Sequence, residues 1–174
     1  MVVKIHKIMK VVNRGNMDAV QHIPQDATVY EKSSVMQTTL DKMMAFHQSD
    51  KALGQLTPPP IFVQLREDNR TSMTDGDLKF TLWMGPLPVQ WHAQHQPGPT
   101  EHSFADLMVA GPMAYWRHEH IFEEVEGGIK LIDRVTLAHK SGFQGLLTRL
   151  MFDGVPLRIL FMYRHLRTKW AVEA

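Results

Sequence analysis

The feature that most constrains this chain is a succession of six strand-like segments, each one turn from the next, closed by a single long helical pattern. The segments are Ile61–Asn69, Asp77–Met84, Pro88–Gln96, Ser103–Ala110, Met113–Glu124 and Ile129–His139. Turn residues separate several of them: Asp75-Gly76, Gly85-Pro86, Gln96-Pro97-Gly98-Pro99 and Glu126-Gly127-Gly128. Connections this short join antiparallel neighbours, because a parallel pair needs a crossover of roughly a dozen residues or more.

Upstream, Thr28–Met36 carries β-branched and aromatic residues and reads as a seventh strand. Thr38-x-x-Asp41 resembles a capping box and predicts a helix over 38–48, with Leu40, Met43, Met44 and His47 at helical spacing. A second short helix is expected over Asp50–Leu56, stopped by Pro58-Pro59-Pro60. The closing helix spans Phe143–Lys169, where Leu146, Leu147, Leu150, Met151, Ile159, Leu160, Met162, Tyr163 and Leu166 recur at three- and four-residue steps. Gly154 and Pro156 predict a kink or break near 153–156. A seven-stranded sheet must cover one face, and only the closing helix is long enough. The expectation is an α+β fold, a curved antiparallel sheet wrapped around a long C-terminal helix.

The 174 residues suit one domain and need neither metal nor disulfide to bury a core. There are no cysteines, which excludes a disulfide framework, a redox CxxC pair and thiolate metal sites. The net charge of +1 gives no global signature for nucleic acid, and no aromatic-basic surface motif is visible, so no nucleic-acid partner is expected. No apolar run reaches the ~18 residues of a membrane span. The segment MVVKIHKIMKVV is interrupted by Lys4, Lys7 and Lys10, unlike a secretory signal, so a cytoplasmic location is expected. Residues 1–24 read as an extension to a domain over 25–174. Within it Ile5, Ile8, Met9 and Val12 share a helical face, and Met17 is an alternative start.

Strand periodicity assigns faces. Trp116, His118, His120 and Phe122 share one face of their strand, while Arg117, Glu119 and Glu123 take the other and belong in water. Matching inward rows are Phe104, Asp106 and Met108; Leu131, Asp133, Val135 and Leu137; Trp91, Ala93 and His95; and Phe80 with Leu82. Together they predict an apolar, aromatic concavity holding two imidazoles and two carboxylates.

Larger motifs carry a resemblance. Glu31-Lys32-Ser33-Ser34-Val35, Ala45-Phe46-His47 and Leu56-Thr57-Pro58-Pro59 are followed by Gly111-Pro112 and Trp116-x-His118-x-His120-x-Phe122. Glu126-Gly127-Gly128, Asp133-Arg134-Val135 and Tyr163-Arg164 complete the series. Over residues 28–168 the chain resembles the bacterial branch of the START-like superfamily (also SRPBCC), which includes polyketide cyclases and lipid-transport proteins. The resemblance implies a helix-grip fold and an internal cavity for a lipid, isoprenoid or polyketide-like molecule. Two departures stand out: Met44, where many relatives carry tryptophan, and the Gly154–Pro156 interruption.

On this reading Trp91, Phe104, Trp116, Phe122 and Leu131 form apolar walls, with Phe80, Leu82, Met108 and, from the closing helix, Leu147 and Met151. His118, His120, Asp106 and Asp133 supply polar contacts. The same four are the catalytic candidates if the protein is a cyclase or dehydratase, since a buried carboxylate beside a histidine can move a proton. Satisfied core hydrogen bonding is the structural alternative. A third possibility is an accessory protein whose sheet is packed solid. Gly111, His118-x-His120 and Glu124 approach the first cupin metal motif, with His95 the one inward candidate for a third imidazole. The long helix argues against a cupin, and no metal or cofactor is expected. Lys140, Arg149, Arg158, Arg164, Arg167 and Lys169 make the closing segment basic. They read as its solvated face, or as a surface for transient contact with anionic membrane.

Overall fold

In the computed structural model, residues 22–174 are described. The expectations for the N-terminal helical face and for Met17 lie outside them. Seven strands form one antiparallel sheet in the order β1-β7-β6-β5-β4-β3-β2. They are β1 (Thr28–Met36), β2 (Phe62–Asp68), β3 (Gly76–Met84), β4 (Leu87–Pro97), β5 (Ser103–Ala110), β6 (Tyr115–Val125) and β7 (Gly128–Ala138). The helices are α1 (Leu40–Gln48), α2 (Ala52–Gln55), α3 (Gly142–Phe152) and α4 (Gly154–Val172). The last six strands form a meander, each hydrogen-bonded to its successor, and β1 returns to pair with β7 along its full length. α1 and α2 bridge β1 to β2 at opposite edges, and α4 lies across the concave face. This is the helix-grip arrangement.

One local expectation is corrected and another is made specific. Thr39, not Thr38, caps α1, accepting from the Lys42 N–H at 3.4 Å, whereas Thr38 donates to the Val172 carbonyl at the end of α4. The kink or break expected near 153–156 is a break, and the closing segment is two helices. Asp153 is extended, with φ −136° and ψ 166°, and its carboxylate caps the Gly154 N–H. Gly154 takes φ +56°, a left-handed conformation that glycine adopts without strain. Pro156 therefore sits in the first turn of α4, where its missing N–H would have had no intrahelical acceptor. It begins a helix instead of bending one.

A larger correction concerns which side of the helices is buried. The inward residues of α4 are Leu157, Phe161, His165, Thr168 and Val172, and those of α3 are Gly145, Thr148 and Phe152. Many of the apolar residues whose spacing marks the helices point away: Leu146, Leu150, Ile159, Met162 and Leu166 are exposed, as are Phe143 and Trp170. Two apolar clusters lie under the helices. One gathers Trp91, Trp116, Val135, Leu137, Phe152 and Phe161; the other holds Met36, Met43, Phe104, Phe122, Leu131 and Val172. Between them lies a polar layer.

Candidate functional site

The sheet register builds that layer. His95 on β4 stands opposite Asp106 on β5, and Asp106 opposite His118 on β6. One step along, Phe104 is opposite His120, and His120 is opposite Asp133 on β7. Because side chains alternate across a strand, all five polar residues project to the concave side. His118 Nε2 lies 2.8 Å from Asp133 Oδ1, and His120 Nδ1 lies 3.0 Å from the same oxygen. The other nitrogen of His120 faces Asp106 Oδ2 at 3.4 Å, and His95 Nε2 faces Asp106 Oδ1 at 3.0 Å. The four residues predicted to be polar contacts are thus within one network.

Helices add members that the strand pattern does not reveal. From α4, His165 places Nε2 3.1 Å from Asp133 Oδ2 and Nδ1 2.8 Å from Ser34 Oγ on β1. His47 of α1 donates Nδ1–H to the Met43 carbonyl at 2.9 Å and rests its ring against His120, centroids 5.4 Å apart. Arg164 turns its guanidinium inward, unlike the solvated role expected for the basic residues, and its Nε is buried without a hydrogen-bond partner. His47 and His165 were readable as helix positions only; their inward direction follows from which face of each helix meets the sheet.

Electrostatics within the layer are strongly coupled. Burial holds the His118 imidazole down, to about 4, with the charge of His120 acting the same way and Asp133 opposing. Burial likewise takes His47 to about 3, again reinforced by His120. Burial also pulls His120 down, but Asp133 and Asp106 more than offset it, and its net shift is upward. Asp133 and Asp106 resist burial through the facing histidines and are held below the usual carboxylate range. Burial lowers Arg164, with Asp133 and Asp106 acting against the loss of its charge.

A cavity of about 130 Å³ borders this layer between the sheet and α4. Its apolar wall includes Leu78, Phe80, Leu82, Trp91, Trp116 and Phe161, and its polar end is His95, Asp106, His118 and Arg164. A wider groove of about 790 Å³ lies on the far side, between β3, β4 and α3, and is bordered by Leu147 and Met151. The two spaces share Phe80, Trp91 and Phe152. Of the predicted lining residues, Phe80, Leu82, Trp91, Trp116, Asp106 and His118 border the cavity. His120 and Asp133 sit one layer behind it, nearly sealed at 3% side-chain exposure each. Phe104, Phe122 and Leu131 pack with Met36 and Met43 in the second cluster, and Met108 is core.

No family model matches the chain, and no curated protein does. Solved structures do. A START superfamily protein from Mycobacterium smegmatis aligns over 83% of this chain and 97% of its own, with TM-score 0.59 and 9% identity. The fold is START-like. A protein from Chromobacterium violaceum shares this START-like fold over 84% of the present chain and 97% of its own, with TM-score 0.60 and 10% identity. A nucleoside-diphosphate sugar epimerase from Corynebacterium glutamicum is similar over part of its length, with TM-score 0.60 and 23% identity. The match covers 81% of this chain but 28% of that protein. At these identities the likeness establishes the fold alone. Among the described residues, no helix is long and apolar enough to cross a membrane.

Proposed function

We propose that the protein binds a small, largely apolar molecule in the cavity between sheet and α4, oriented by His95, Asp106, His118 and Arg164. The observation that carries this reading is the composition of the cavity wall, apolar and aromatic on one side with polar groups converging at one end. Binding pockets commonly have that character. Energetics supports it too. Removing two carboxylates and several imidazoles from water is a poor way to stabilise a core, since well-packed apolar residues often do as well or better.

The volume suits a single ring or a short chain; an apolar cavity of about 150 Å³ accommodates benzene. A longer ligand must displace the Phe80–Trp91–Phe152 wall and extend into the α3 groove. Native mass spectrometry of the purified protein, followed by solvent extraction, tests the proposal. A dissociable apolar adduct is expected, as is saturable quenching of Trp91 and Trp116 by aromatic and aliphatic carboxylates. No adduct and no saturable quenching across that series would remove the reading.

A second reading, a cyclase or dehydratase, draws support from the 2.8 Å contact between His118 and Asp133 beside a space large enough for a reacting group. The carboxylate would orient the imidazole, and the imidazole would move the proton. His118→Ala and His120→Ala separate the two readings. Loss of turnover with retained ligand affinity supports catalysis; full affinity with no turnover in any variant, wild type included, leaves binding alone.

A further inference from the structure

With neutral imidazoles, the proton inventory of the polar layer does not close on its own side chains. His95 Nδ1 lies 3.2 Å from the Met73 carbonyl, which can only accept, so that nitrogen carries the hydrogen. In the neutral ring Nε2 is then a lone pair, 3.0 Å from Asp106 Oδ1. Two bare acceptors at that distance repel. Asp106 Oδ1 is buried and makes no hydrogen bond. His120 repeats the pattern. Its Nδ1 lies 3.0 Å from a carboxylate oxygen of Asp133 without the alignment of a hydrogen bond, and its Nε2 faces the other oxygen of Asp106. Asp106 is therefore approached from two sides by imidazole nitrogens, and the His95 ring already directs its hydrogen elsewhere.

A divalent cation satisfies this arrangement with one charge centre where extra protons on two rings would otherwise be needed. One donor atom from each of Asp106, His118 and His120 lies within 4.8 Å of the other two. Donors on one tetrahedral ion, at bond lengths of ~2.0–2.2 Å, sit about 3–3.5 Å apart. The 3.4 Å between His120 Nε2 and Asp106 Oδ2 is already in that range. Behind the donors stands the support that metal-binding histidines use, a carboxylate on the second ring nitrogen. Asp133 Oδ1 takes that position toward both His118 and His120.

We propose that Asp106, His118 and His120, with Asp133 as their orienting carboxylate and His95 against Asp106, hold a divalent transition-metal ion at the polar end of the cavity. Mixed imidazole and carboxylate donors suit zinc or ferrous iron over calcium or magnesium. Asp106 keeps 27% of its side-chain surface and borders the cavity with His118, so an open coordination position there would meet a ligand. The motif differs from the cupin-like spacing in the sequence: Asp106 from the adjacent strand takes the place of Glu124, which is exposed. The site stands independently of ligand binding, and either can fail alone.

The test uses the full chain, stripped with a chelator and titrated with Zn²⁺ and Co²⁺. Expected are one ion bound per chain, visible-region d–d absorption from Co²⁺, and a raised Tm with Zn²⁺, since an ion that binds only the folded state stabilises it. Asp106→Asn and His120→Gln, which preserve size and hydrogen bonding, should abolish the Co²⁺ spectrum while retaining wild-type circular dichroism. Asp133→Asn should weaken affinity about 10–100-fold, as loss of an orienting carboxylate does. His92→Gln disrupts a half-exposed His92–Asp77 pair and should leave binding unchanged. The proposal is overturned if neither ion binds stoichiometrically at millimolar concentration. It is equally overturned if binding survives Asp106→Asn and His120→Gln, or is lost in His92→Gln, because the ion would then be adventitious.

Discussion

Asp133 Oδ1 is shared by two imidazoles, His118 at 2.8 Å and His120 at 3.0 Å, and all three side chains are almost completely enclosed. His165 reaches the second oxygen at 3.1 Å, so one carboxylate joins β6, β7 and α4. Asp133→Ala should lower stability by about 3 kcal/mol, at the lower end of what breaking a buried ion pair costs, because histidines can shed their charge. Asp133→Asn should lose less. Urea denaturation midpoints of the three proteins check this, and equal midpoints for Ala and wild type would contradict it.

Phe161 and Met162 are neighbours on α4 with opposite fates, 1% and 59% exposed. Phe161 packs against Tyr30 and His118, with ring centroids 5.4 and 5.0 Å away. Phe161→Ala should destabilise the protein by about 3–5 kcal/mol through lost burial and the cavity left behind. Met162→Ala should stay within about 0.5 kcal/mol of wild type, as exposed positions usually do. Similar losses in the two variants would mean that α4 is rotated about its axis.

Phe152 lies edge-on to both Trp91 and Trp116, at 5.9 and 6.1 Å between centroids, and lines both the cavity and the groove. Phe152→Ala should merge the two spaces. Medium-chain fatty acids should then quench tryptophan fluorescence at lower concentration than in wild type, despite a stability loss of about 3–5 kcal/mol. Unchanged quenching in a folded variant would show that the wall is not the barrier.

His139 anchors α3 by donating Nδ1–H to the Thr148 hydroxyl at 2.9 Å, that hydroxyl in turn donating to the Gly145 carbonyl. Burial, then the nearby Arg149 charge, lowers its affinity for a proton; Asp153 opposes them. The folded state therefore binds fewer protons than the unfolded chain, whose histidine titrates near its ordinary value of about 6.5. Its contribution is complete above that pH and is lost progressively as pH falls from there toward the depressed folded value. In His139→Asn, which keeps the donor to Thr148, the midpoint should fall less steeply between pH 7.5 and 5 than in wild type (about that window). Parallel slopes would assign the acid sensitivity to other groups.

Period-two alternation on β4 to β7 was enough to place Trp91, Asp106, Trp116, His118, His120 and Asp133 on one face, and turn residues set strand order by making every hairpin short. Those are local properties, and a one-residue slip would have turned each row outward. The strand ranges, the α+β class and the break near Gly154 follow from the same local chemistry.

Helical direction was not legible in that way. In the closing segment both faces are apolar, so spacing pointed to Leu146, Leu150, Ile159, Met162 and Leu166, while the structure buries Leu157, Phe161, His165 and Thr168. Periodicity defines a stripe, but which stripe meets the sheet depends on packing against Tyr30, His118 and Ser34. The entry of His47, Arg164 and His165 into the polar layer is decided at that same level. So is the division of the predicted lining between a cavity wall, around Trp91 and Trp116, and a solid cluster around Phe104 and Phe122. The sequence alone determined a curved sheet with imidazoles and carboxylates on its inner face. Only tertiary packing decided how much space remained beside them and which helical side chains closed the network, because volume and helix rotation belong to no single segment.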